Sequence, residues 1–502
     1  MTVQPFATNG IYRDDAGIAQ YENQPESLVA MLRATVEQWP EQEAIAEVDG
    51  EHLSYRQLWD RAARVAGGLR DNGIRPGDRV GVLLDNGADW VLGFLGSVLA
   101  GGVPVPVNTR FAAPEIEYVL TDSAVSHALR PGAPLPDGAP YAYDGAVSAD
   151  LAAIFYTSGT TGRPKGAMTT HGNFLSTVEN TRRLVGIADG EGPRLRNLVS
   201  VPLFHVTACN SQLIPQLAIG GSTIVLPKFA VQTFLRAMVD ERVTSITNTP
   251  AIYYLAFRQE NFGDFDLSGI NRVAYGGAPV APALVEQIAK HFPNARLANG
   301  FGLTETSSIS TYLPHEWALE HPESVGFAAP VVDLALDSPD DAGVGELLIR
   351  GPNVVAGYWN KPDATAATFV DGWLRTGDLA RIDEQGLVSI ADRAKDMINR
   401  GGENVYCVEV ENALAGAPGI GESAVVGVPD SMMGEKVGAV VVPVAGTGFD
   451  EAAVLAYLRD RLADFKVPQY FSVRSEPLPR NPGGKILKDR LRSEPFKPAS
   501  RG

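Results

Sequence analysis

The sequence predicts an α/β protein with a large multi-sheet α/β N-terminal domain and a small, mobile α+β C-terminal domain. Strand-like and helix-like segments alternate through the first half, which is typical of a mainly parallel sheet. Near residue 392 this pattern gives way to charged and glycine-rich segments, followed by a compact helix and strand pattern. A length of 502 residues suits one large and one small domain.

Composition excludes several classes of protein. Hydrophobic residues make up 45% of the chain, close to the average for globular proteins, so a fibrous or disordered protein is not expected. The formal net charge of -17 repels nucleic acid and anionic lipid at long range. We therefore expect no nucleic-acid partner and no stable membrane insertion.

Cysteine content and the N-terminus indicate the compartment. Two cysteines cannot form a disulfide framework or a cysteine-based zinc site, and a reducing environment suits them. Residues 1–5 contain neither a basic nor an apolar signal region. A cytoplasmic location is the expectation.

The first elements follow from local patterns. Residues 44–48 alternate as in a strand, and Asp49-Gly50 supplies a hairpin turn. Ser54 and Gln57 form a capping box that opens a helix.

Later elements of the large domain follow from apolar runs and turn residues. Residues 79–84 and 152–156 are predicted strands, and residues 90–107 predict a buried helix followed by a strand. Glycine and proline dominate residues 131–140, which indicates a surface connection.

The end of the chain predicts a separate small domain. Its pattern is a helix, two strands and a second helix, at residues 408–415, 424–428, 437–444 and 450–465. The predicted division is a large domain over 1–391, a hinge over 392–394 and a small domain over 395–502. A cleft between two unequal domains is a natural ligand site.

The most specific local motif covers residues 156–166, Tyr-Thr-Ser-Gly-Thr-Thr-Gly-Arg-Pro-Lys-Gly, directly after a predicted strand. Its glycines let the backbone approach an anion, and its hydroxyl groups and lysine can bind phosphate. A Walker A loop requires lysine directly after its second glycine, whereas Gly162 is followed by Arg163. The motif therefore predicts a triphosphate loop of another kind.

This loop resembles the signature of the adenylate-forming superfamily, which includes acyl-CoA synthetases, peptide-synthetase adenylation domains and beetle luciferases. Further segments are similar to that family's motifs and occur in the family's order. They are Pro-Leu-Phe-His-Val at 202–206, Tyr-Gly-Gly-Ala-Pro at 275–279, Gly-Phe-Gly-Leu-Thr-Glu at 300–305, Gly-Tyr at 357–358, Gly-Trp-Leu-Arg-Thr-Gly-Asp at 372–378, Asp-Arg at 392–393 and Pro-Arg-Asn-Pro-Gly-Gly-Lys at 479–485. The resemblance covers nearly the whole chain.

The resemblance implies an ATP-dependent carboxylic acid:CoA ligase that works through an acyl-adenylate, with ATP, Mg²⁺ and CoA. Lys485 would bridge the carboxylate and the α-phosphate, and Thr304 would donate to that phosphate. Thr160 and Glu305 would hold Mg²⁺. The implied nucleotide-binding residues are Thr157, Ser158, Gly159, Thr160, Thr161, Gly162, Lys165, Gly276, Gly277, Ala278, Gly300, Phe301, Gly302, Thr304, Asp378, Arg393 and Lys485.

Within that set the resemblance gives specific roles. Phe301 would cover one face of adenine, and Asp378 would accept hydrogen bonds from the ribose hydroxyls with Arg393 beside it. Asp392 is the implied hinge, about which the small domain exchanges its two faces. The implied CoA loop contains Gly401, Gly402 and Glu403.

The implied acyl pocket is the least specific part. His205 would stand between the acyl pocket and the thiol tunnel as a fourth catalytic residue, and its alternative is a structural core histidine. Structural roles are also the alternatives for Phe301 and Asp378. The other implied pocket residues are Val206, Thr207, Asn210, Asn248, Tyr275 and Gly302.

The substrate class follows from what this region lacks. Amino-acid-activating relatives carry an aspartate just after the aromatic residue of the 202–206 motif, and none follows Phe204. No lysine or arginine occurs among the implied pocket residues, so a monocarboxylic fatty or aromatic acid is expected. From residue 459 to residue 492 the chain carries a local excess of basic residues, which would suit the phosphates of CoA.

Alternatives from other classes stay open at this point. One is an acyl-AMP ligase that loads an acyl-carrier protein, although the short segment from Asp378 to Asp392 favours CoA. A second is an adenylate-binding protein without catalysis, which would be expected to lack Lys485 or Glu305. A third is a luciferase-type oxygenase. A homodimer is the working hypothesis for assembly.

Overall fold

The structure is a computed structural model that describes residues 3–157, 163–401, 403–444, 446–480 and 486–499. Its strands are β1 Ile11–Arg13, β2 Ala19–Tyr21, β3 Glu43–Glu47, β4 His52–Ser54, β5 Arg79–Val82, β6 Val103–Pro106, β7 Val125–Leu129, β8 Leu151–Thr157, β9 Lys165–Thr170, β10 Arg196–Val199, β11 Ser222–Val225, β12 Ser245–Asn248, β13 Arg272–Gly276, β14 Arg296–Leu303, β15 Ser308–Leu313, β16 Phe327–Ala328, β17 Asp333–Asp337, β18 Gly345–Arg350, β19 Phe369–Val370, β20 Trp373–Ile382, β21 Val388–Arg393, β22 Ile398–Arg400, β23 Glu403–Val405, β24 Ile420–Asp430, β25 Gly434–Pro443, β26 Tyr470–Val473 and β27 Lys497–Pro498.

The helices alternate with these strands through the first 300 residues. They are α1 Leu28–Gln38, α2 Tyr55–Asp71, α3 Ala88–Leu99, α4 Ala113–Asp122, α5 His171–Val185, α6 Val206–Ala208, α7 Ile214–Ala218, α8 Val231–Asp240, α9 Pro250–Phe257, α10 Pro282–His291, α11 His315–Ala318, α12 Pro362–Thr368, α13 Cys407–Ala415, α14 Glu451–Arg459 and α15 Lys488–Leu491. A π-helical segment, Cys209–Leu213, joins α6 to α7.

The largest sheet of the described residues, called the central sheet below, has nine strands in the order β16-β15-β14-β13-β12-β10-β11-β3-β4. From β14 to β3 all neighbours are parallel, and the two edges are antiparallel. The predicted mainly parallel α/β fold is therefore confirmed. Carboxyl ends of parallel strands meet at one edge, which is where such folds bind ligands.

Local patterns in the first half are confirmed, except that the strand predicted over 79–84 ends at Val82. Asp49 adopts a left-handed conformation with φ of 59°, in the turn between the antiparallel β3 and β4. The Ser54 side chain accepts from the N–H of Gln57, and the Gln57 side chain accepts from the N–H of Ser54. The predicted buried helix and strand within 90–107 are α3 and β6.

Smaller sheets complete the large domain. They are the β1–β2 pair, the sheet β6-β5-β7, the β8–β9 hairpin, and a sheet in the order β17-β18-β20-β19 in which β21 also pairs with β20. The hairpin matters for function because the predicted phosphate loop joins its two strands. Two apolar clusters fill the spaces on either side of the central sheet.

The remaining strands, β22 to β27, form a sheet of their own with α13 and α14 packed on it. The predicted helix over 450–465 is wrong at its end, because α14 stops at Arg459. Leu462 stays buried, so the apolar pattern continues after the helical hydrogen bonding has ended. Phe465 lies in a short 3-10 segment instead.

None of the helices in the described ranges is both long enough and apolar enough to cross a bilayer.

Candidate active site

Close backbone contacts at the carboxyl edge of the central sheet create a shallow floor. Gly276 on β13 pairs with Gly300 on β14, and a β-carbon at Gly276 would stand 2.2 Å from the Gly300 carbonyl oxygen. A β-carbon at Gly302 would stand 1.5 Å from the Ser308 carbonyl oxygen. Both positions therefore require glycine. Gly277 follows with φ of +73°, a conformation that glycine adopts without strain.

Glu305 lies in a short 3-10 turn directly after β14, together with Thr304. The Tyr358 hydroxyl donates to Glu305 Oε1 at 2.6 Å. Lys165 Nζ lies 4.9 Å from the centre of the Tyr358 ring, in a cation–π arrangement. Two predicted site residues, a carboxylate and a lysine, thus meet across a tyrosine.

Tyr358 is fixed by the strand that carries Lys165. The chain around Gly357 pairs with β9, since Met168 N–H donates to Gly357 O at 2.9 Å and Trp359 N–H donates to Gly166 O at 2.8 Å. Burial, reinforced by the Glu305 charge, raises the pKa of Tyr358 above its usual value. The hydroxyl is therefore protonated and acts as a donor to the carboxylate.

Several predicted residues lie outside the described residues. They are Ser158, Gly159, Thr160, Thr161, Gly162, Gly402 and Lys485. Strand pairing joins the described residues on either side of two of these segments. Thr157 pairs with Lys165 in the β8–β9 hairpin, and Arg480 forms an antiparallel bridge with Ile486.

Asp378 and Arg393, the predicted ribose pair, come together on neighbouring strands. They are direct partners in the register of β20 and β21, and Arg393 Nε lies 2.5 Å from Asp378 Oδ1. Asp378 is buried, and its N–H donates to Thr376 Oγ1 at 3.0 Å. The strand pairing and the ion pair thus hold the carboxylate and the guanidinium side by side.

His205 precedes α6 and stacks loosely on Phe204, with ring centroids 5.3 Å apart. Burial, together with the positive charge of Arg110, lowers its pKa to about 4. His205 is therefore neutral at neutral pH. It can hold a carboxylate through one N–H group but does not bring a positive charge.

The other implied acyl-pocket residues divide between two regions. Val206 and Thr207 form α6, and Asn210 Nδ2 donates to Ser307 Oγ at 2.9 Å. Asn248 and Tyr275 are register partners on β12 and β13, and both are buried. Strand side chains alternate between faces, so their neighbours Thr247 and Ala274 lie on the opposite face of the sheet.

The hinge prediction falls on a buried carboxylate with two backbone donors. Asp392 Oδ1 accepts from Arg393 N–H at 2.7 Å, and Asp392 Oδ2 accepts from the N–H of Cys407 at the start of α13. Nearby, the Tyr406 hydroxyl donates to Asp340 Oδ2 at 2.9 Å, from the C-terminal part of the chain to the β17–β18 connection.

Of the implied CoA loop, Gly401 and Glu403 are described. Gly401 has φ of 63°, and its N–H donates to Met433 O at 2.7 Å. Glu403 is exposed at the start of β23 and lies 3.4 Å from Arg400.

The basic excess between residues 459 and 492 is largely neutralised. Five of its cations form ion pairs: Lys466 with Glu409, Arg474 with Glu494, Arg480 with Glu422, Lys488 with Glu411 and Arg492 with Asp396. The sequence count therefore overstates the positive charge available to a ligand. The acids that neutralise it lie outside the segment.

Comparison with known families decides which family this site belongs to. The profile of the family described as AMP-binding enzyme matches residues 32–137 and 133–359, and the profile of its C-terminal domain matches residues 409–485. This chain belongs to the AMP-binding enzyme family.

Relatives of this AMP-binding enzyme are CoA ligases. It is 38% identical over 475 residues to a feruloyl-CoA synthase of an Amycolatopsis species, covering 88% of this chain and 94% of that protein. It is 35% identical over 499 residues to a long-chain-fatty-acid–CoA ligase of Mycobacterium tuberculosis, covering 92% and 97%. ATP-bound MatB from Rhodopseudomonas palustris superimposes with a TM-score of 0.84 at 31% identity, covering 93% and 98%.

These relatives assign the chain to the acyl-CoA synthetase branch of the adenylate-forming superfamily. The AMP-binding enzyme is an ATP-dependent acid:CoA ligase that forms AMP through an acyl-adenylate, as the sequence motifs predicted. The alternative of loading a carrier protein is not favoured.

Sequence reasoning missed two features of this AMP-binding enzyme. The Gly357-Tyr358 motif by itself indicates no role for its tyrosine, although Tyr358 is the direct partner of Glu305. Arg272 belongs to no motif, yet it lines a cavity next to the acyl region. The first could have been suspected from its motif, whereas the second has no local signal because its cavity forms only when distant segments pack.

Proposed function

We propose that this AMP-binding enzyme activates a monocarboxylic aromatic or fatty acid with ATP and Mg²⁺, and that the predicted residues act as follows. The observation that carries the proposal is the meeting of Glu305, Tyr358 and Lys165 beside the strands that flank the phosphate loop. A carboxylate, a lysine and a hydroxyl at that place suit a bound metal triphosphate.

In the first half-reaction, an oxygen of the acid's carboxylate attacks the α-phosphorus, and the bond to pyrophosphate breaks. The carboxylate is already a nucleophile at neutral pH, so the site has to align two anions and neutralise their charge. Lys485 and Lys165 supply positive charge, and Thr304 donates to the α-phosphate. His205 directs the carboxylate through an N–H group.

The described residues suit Mg²⁺ as a partner of the nucleotide. No group of three or more histidine, cysteine, aspartate or glutamate side chains in the described ranges could enclose a metal alone. Glu305 offers one carboxylate, and Mg²⁺ is commonly held by one or two carboxylates plus substrate phosphates. When bound, the ion would neutralise phosphate charge, with Glu305 as its protein ligand and Thr160 as a second.

For the nucleoside, the proposal assigns Asp378 and Arg393 to the ribose and Phe301 with the Gly276–Ala278 backbone to adenine. Support comes from the contact between Asp378 and Arg393 and from the absence of room for side chains at Gly276 and Gly302.

In the second half-reaction, the CoA sulfur attacks the acyl carbon, the bond from that carbon to the AMP oxygen breaks, and the thiol proton is released. We assign residues 1–391 to the large domain, 392–394 to the hinge and 395–502 to the small domain. Asp392 is suited to a hinge because it joins the end of β21 to the first N–H group of α13. Rotation there would bring Gly401, Gly402 and Glu403 to the thiol.

Two of the relatives support the acid classes of the proposal. One is named for a feruloyl substrate and another for long-chain fatty acids. A cytoplasmic location belongs to the proposal and is supported by two cysteines that are free and buried. A homodimer remains a prediction.

Pyrophosphate release tests the proposal. It would be measured with ATP and Mg²⁺ across fatty acids, aryl acids, dicarboxylates and amino acids, with and without CoA. Release that depends on one monocarboxylic class and rises with CoA is the expected result. Release that is independent of CoA, with acyl-AMP accumulating, or release only with amino acids would overturn the proposal.

A further inference from the structure

Helix α4 contacts both flanks of the predicted phosphate loop, which joins β8 to β9. Its apolar residue Val119 packs in the same cluster as Ile154 of β8, the strand that leads into the loop. Tyr118 and Asp122 are four residues apart on α4 and therefore share one face of the helix. This face meets three separate segments of the chain, which are the two flanks of the loop and the segment that carries Tyr358.

Asp122 binds the flank that precedes the loop. The Tyr156 hydroxyl donates to Asp122 Oδ2 at 2.8 Å, and Tyr156 stands directly before Thr157, the last residue of β8. Burial, reinforced by the hydrogen bond to Asp122, raises the pKa of Tyr156, so its hydroxyl is protonated and acts as the donor. Thr157 is therefore positioned by its neighbour as well as by strand pairing with Lys165.

The second carboxylate oxygen of Asp122 binds the segment that carries Tyr358. Lys361 Nζ lies 2.5 Å from Asp122 Oδ1, and the Asp122 side chain is only 11% exposed. Each oxygen of this carboxylate thus has a donor from a different segment. Because Lys361 balances its charge, Asp122 adds no net negative charge beside the proposed phosphate site.

Tyr118 binds the flank that follows the loop. Its hydroxyl donates to Pro164 O at 3.2 Å, and the central guanidinium carbon of Arg163 lies 5.1 Å from the centre of its ring, in a cation–π arrangement. Pro164 immediately precedes Lys165, which the proposed function assigns to phosphate charge. One helix therefore contacts the residue before Thr157 and the residue before Lys165.

The C-terminal end of α4 is itself fixed to a sheet. Arg79 on β5 donates through Nε to Ser123 O at 3.0 Å and through Nη2 to Ala124 O at 3.1 Å. A cation at the carboxyl end of a helix also interacts favourably with the helix dipole. Helix α4 is therefore held to the sheet β6-β5-β7 at the same end that carries Asp122.

We propose that Tyr118 and Asp122 are positioning residues for the triphosphate of ATP. They set the distance between the two ends of the phosphate loop and hold the segment that carries Tyr358 beside it. This inference rests on the proposed function, which assigns the loop to ATP. Both residues act through the residues that they bind, and neither is assigned a contact with the nucleotide.

The effect should be selective for part of the nucleotide. The proposed function assigns the α-phosphate to Thr304 and Lys485, which leaves the loop to the two phosphates that depart as pyrophosphate. AMP lacks these two phosphates. Displacing the ends of the loop should therefore weaken the binding of ATP and leave the binding of AMP unchanged. A purely structural role of α4 would not separate the two nucleotides.

Isothermal titration calorimetry with ATP and Mg²⁺, and separately with AMP, tests the inference without any acid substrate. In Tyr118→Phe and in Asp122→Ala, the dissociation constant for ATP should rise about 10-fold, the lower end of the effect of removing an orienting partner at a ligand site. The dissociation constant for AMP should keep its wild-type value. Asp122→Asn retains one oxygen acceptor and should recover part of the ATP affinity.

Tyr55→Phe is the matched control. Tyr55 is also a tyrosine whose hydroxyl donates to a backbone carbonyl, that of Gly221 at 2.7 Å, at the amino end of β11. The substitution should lower the melting temperature, because a buried hydrogen bond is lost, and should leave both dissociation constants unchanged.

Two outcomes would overturn the inference while the ligase assignment stands. They are wild-type ATP affinity in Tyr118→Phe and Asp122→Ala, and an equal loss of ATP and AMP affinity. If Asp122→Ala does not fold, Tyr118→Phe decides between the outcomes, because it keeps the ring that contacts Arg163 and loses only the hydroxyl. An absence of ATP binding by the wild-type protein would instead contradict the proposed function.

Discussion

Tyr358 donates its hydroxyl to Glu305 Oε1 at 2.6 Å, and this bond joins two segments that lie 53 residues apart in the chain. Lys165 Nζ lies 4.9 Å from the centre of the same tyrosine ring. The carboxylate proposed to hold Mg²⁺ is therefore oriented by a donor on the segment that pairs with β9, the strand that flanks the phosphate loop. One Glu305 oxygen is committed to Tyr358, which leaves the other for the metal.

Removing this donor should weaken the response to Mg²⁺. In Tyr358→Phe, Glu305 loses a hydrogen bond to a charged acceptor, an interaction worth about 1.5–3 kcal/mol. We expect the Mg²⁺ concentration for half-maximal pyrophosphate release to rise about 10-fold. Tyr21→Phe removes another buried hydroxyl, which donates to Asn180, and should leave that concentration unchanged. An unaltered Mg²⁺ response in Tyr358→Phe would contradict the role given to the bond.

The glycine floor should tolerate no side chain. Gly276→Ala would place a β-carbon 2.2 Å from the Gly300 carbonyl, so β13 and β14 would have to separate at the proposed adenine site. ATP affinity, measured by calorimetry, should fall about 10-fold or more. Gly263→Ala, whose β-carbon meets nothing within 4 Å, is the control and should bind ATP normally. Normal ATP affinity in Gly276→Ala would contradict the placement of the nucleotide at this edge of the central sheet.

Stability should decrease as pH falls below about 6.5, partly because of His171. Burial, opposed by the charge of Asp150, lowers the pKa of this residue to about 4, and its Nδ1 accepts from Leu28 N–H at 3.2 Å. Between its ordinary pKa of 6.5 and about 4, the unfolded chain binds a proton that the folded chain does not. The free energy of unfolding therefore falls across this window as pH is lowered.

Urea unfolding of His171→Gln at pH 7 and pH 5 would isolate that contribution. The variant should be less stable at pH 7 but should lose less stability between the two values than the wild type. His321→Gln changes a half-exposed histidine and should keep the wild-type difference. If His171→Gln lost as much stability between pH 7 and pH 5 as the wild type, another group would be responsible for the pH dependence.

A buried ion pair joins α15, the helix that follows Lys485, to α13, whose first N–H group binds the predicted hinge residue Asp392. Lys488 Nζ lies 2.8 Å from Glu411 Oε1, which also accepts from Val425 N–H. Burial alone would lower the pKa of Lys488, but the negative charges of Glu411 and Asp392 outweigh it and raise that pKa. Burial raises the pKa of Glu411, and the charge of Lys488 opposes that shift, so each group depends on the other for its charged form.

Removing one partner of this ion pair should destabilise the protein more than replacing both partners with apolar residues. Glu411→Leu removes the direct partner of Lys488 and should lower the free energy of unfolding by about 3–5 kcal/mol, whereas adding Lys488→Met should restore most of it. Differential scanning calorimetry of both variants measures the difference. The corresponding single and double variants at the exposed Arg56–Glu41 contact should each change the free energy of unfolding by less than about 1 kcal/mol. A double variant no better than Glu411→Leu would refute the mutual dependence.

Local chemistry explains which parts of the fold were predictable. The Asp49-Gly50 turn and the Ser54 cap depend on neighbours within three residues, so the sequence alone predicts them. The end of α14 was misplaced because Leu462 stays buried by tertiary packing after the helix has stopped. Apolar periodicity indicates which residues are buried, and Leu462 is buried although the helix has already ended.

The candidate site likewise divides into features that local sequence predicts and features that depend on tertiary packing. Motifs predicted Gly276, Glu305 and Asp378 as neighbours of a nucleotide because each motif is contiguous. The Tyr358–Glu305 bond and the cavity at Arg272 depend on contacts between distant segments, and no spacing in the sequence encodes them.

Separate measurement of the two half-reactions in Lys485→Ala tests the central claim most directly. Acyl-AMP formation should fall by about 100-fold or more, because the bridging positive charge is lost, while thiolysis of supplied acyl-AMP by CoA should keep the wild-type rate. Lys497→Ala, at an exposed position in the same domain, is the control and should preserve both. Equal loss of both half-reactions in Lys485→Ala, or no loss of either, would contradict the two-step account.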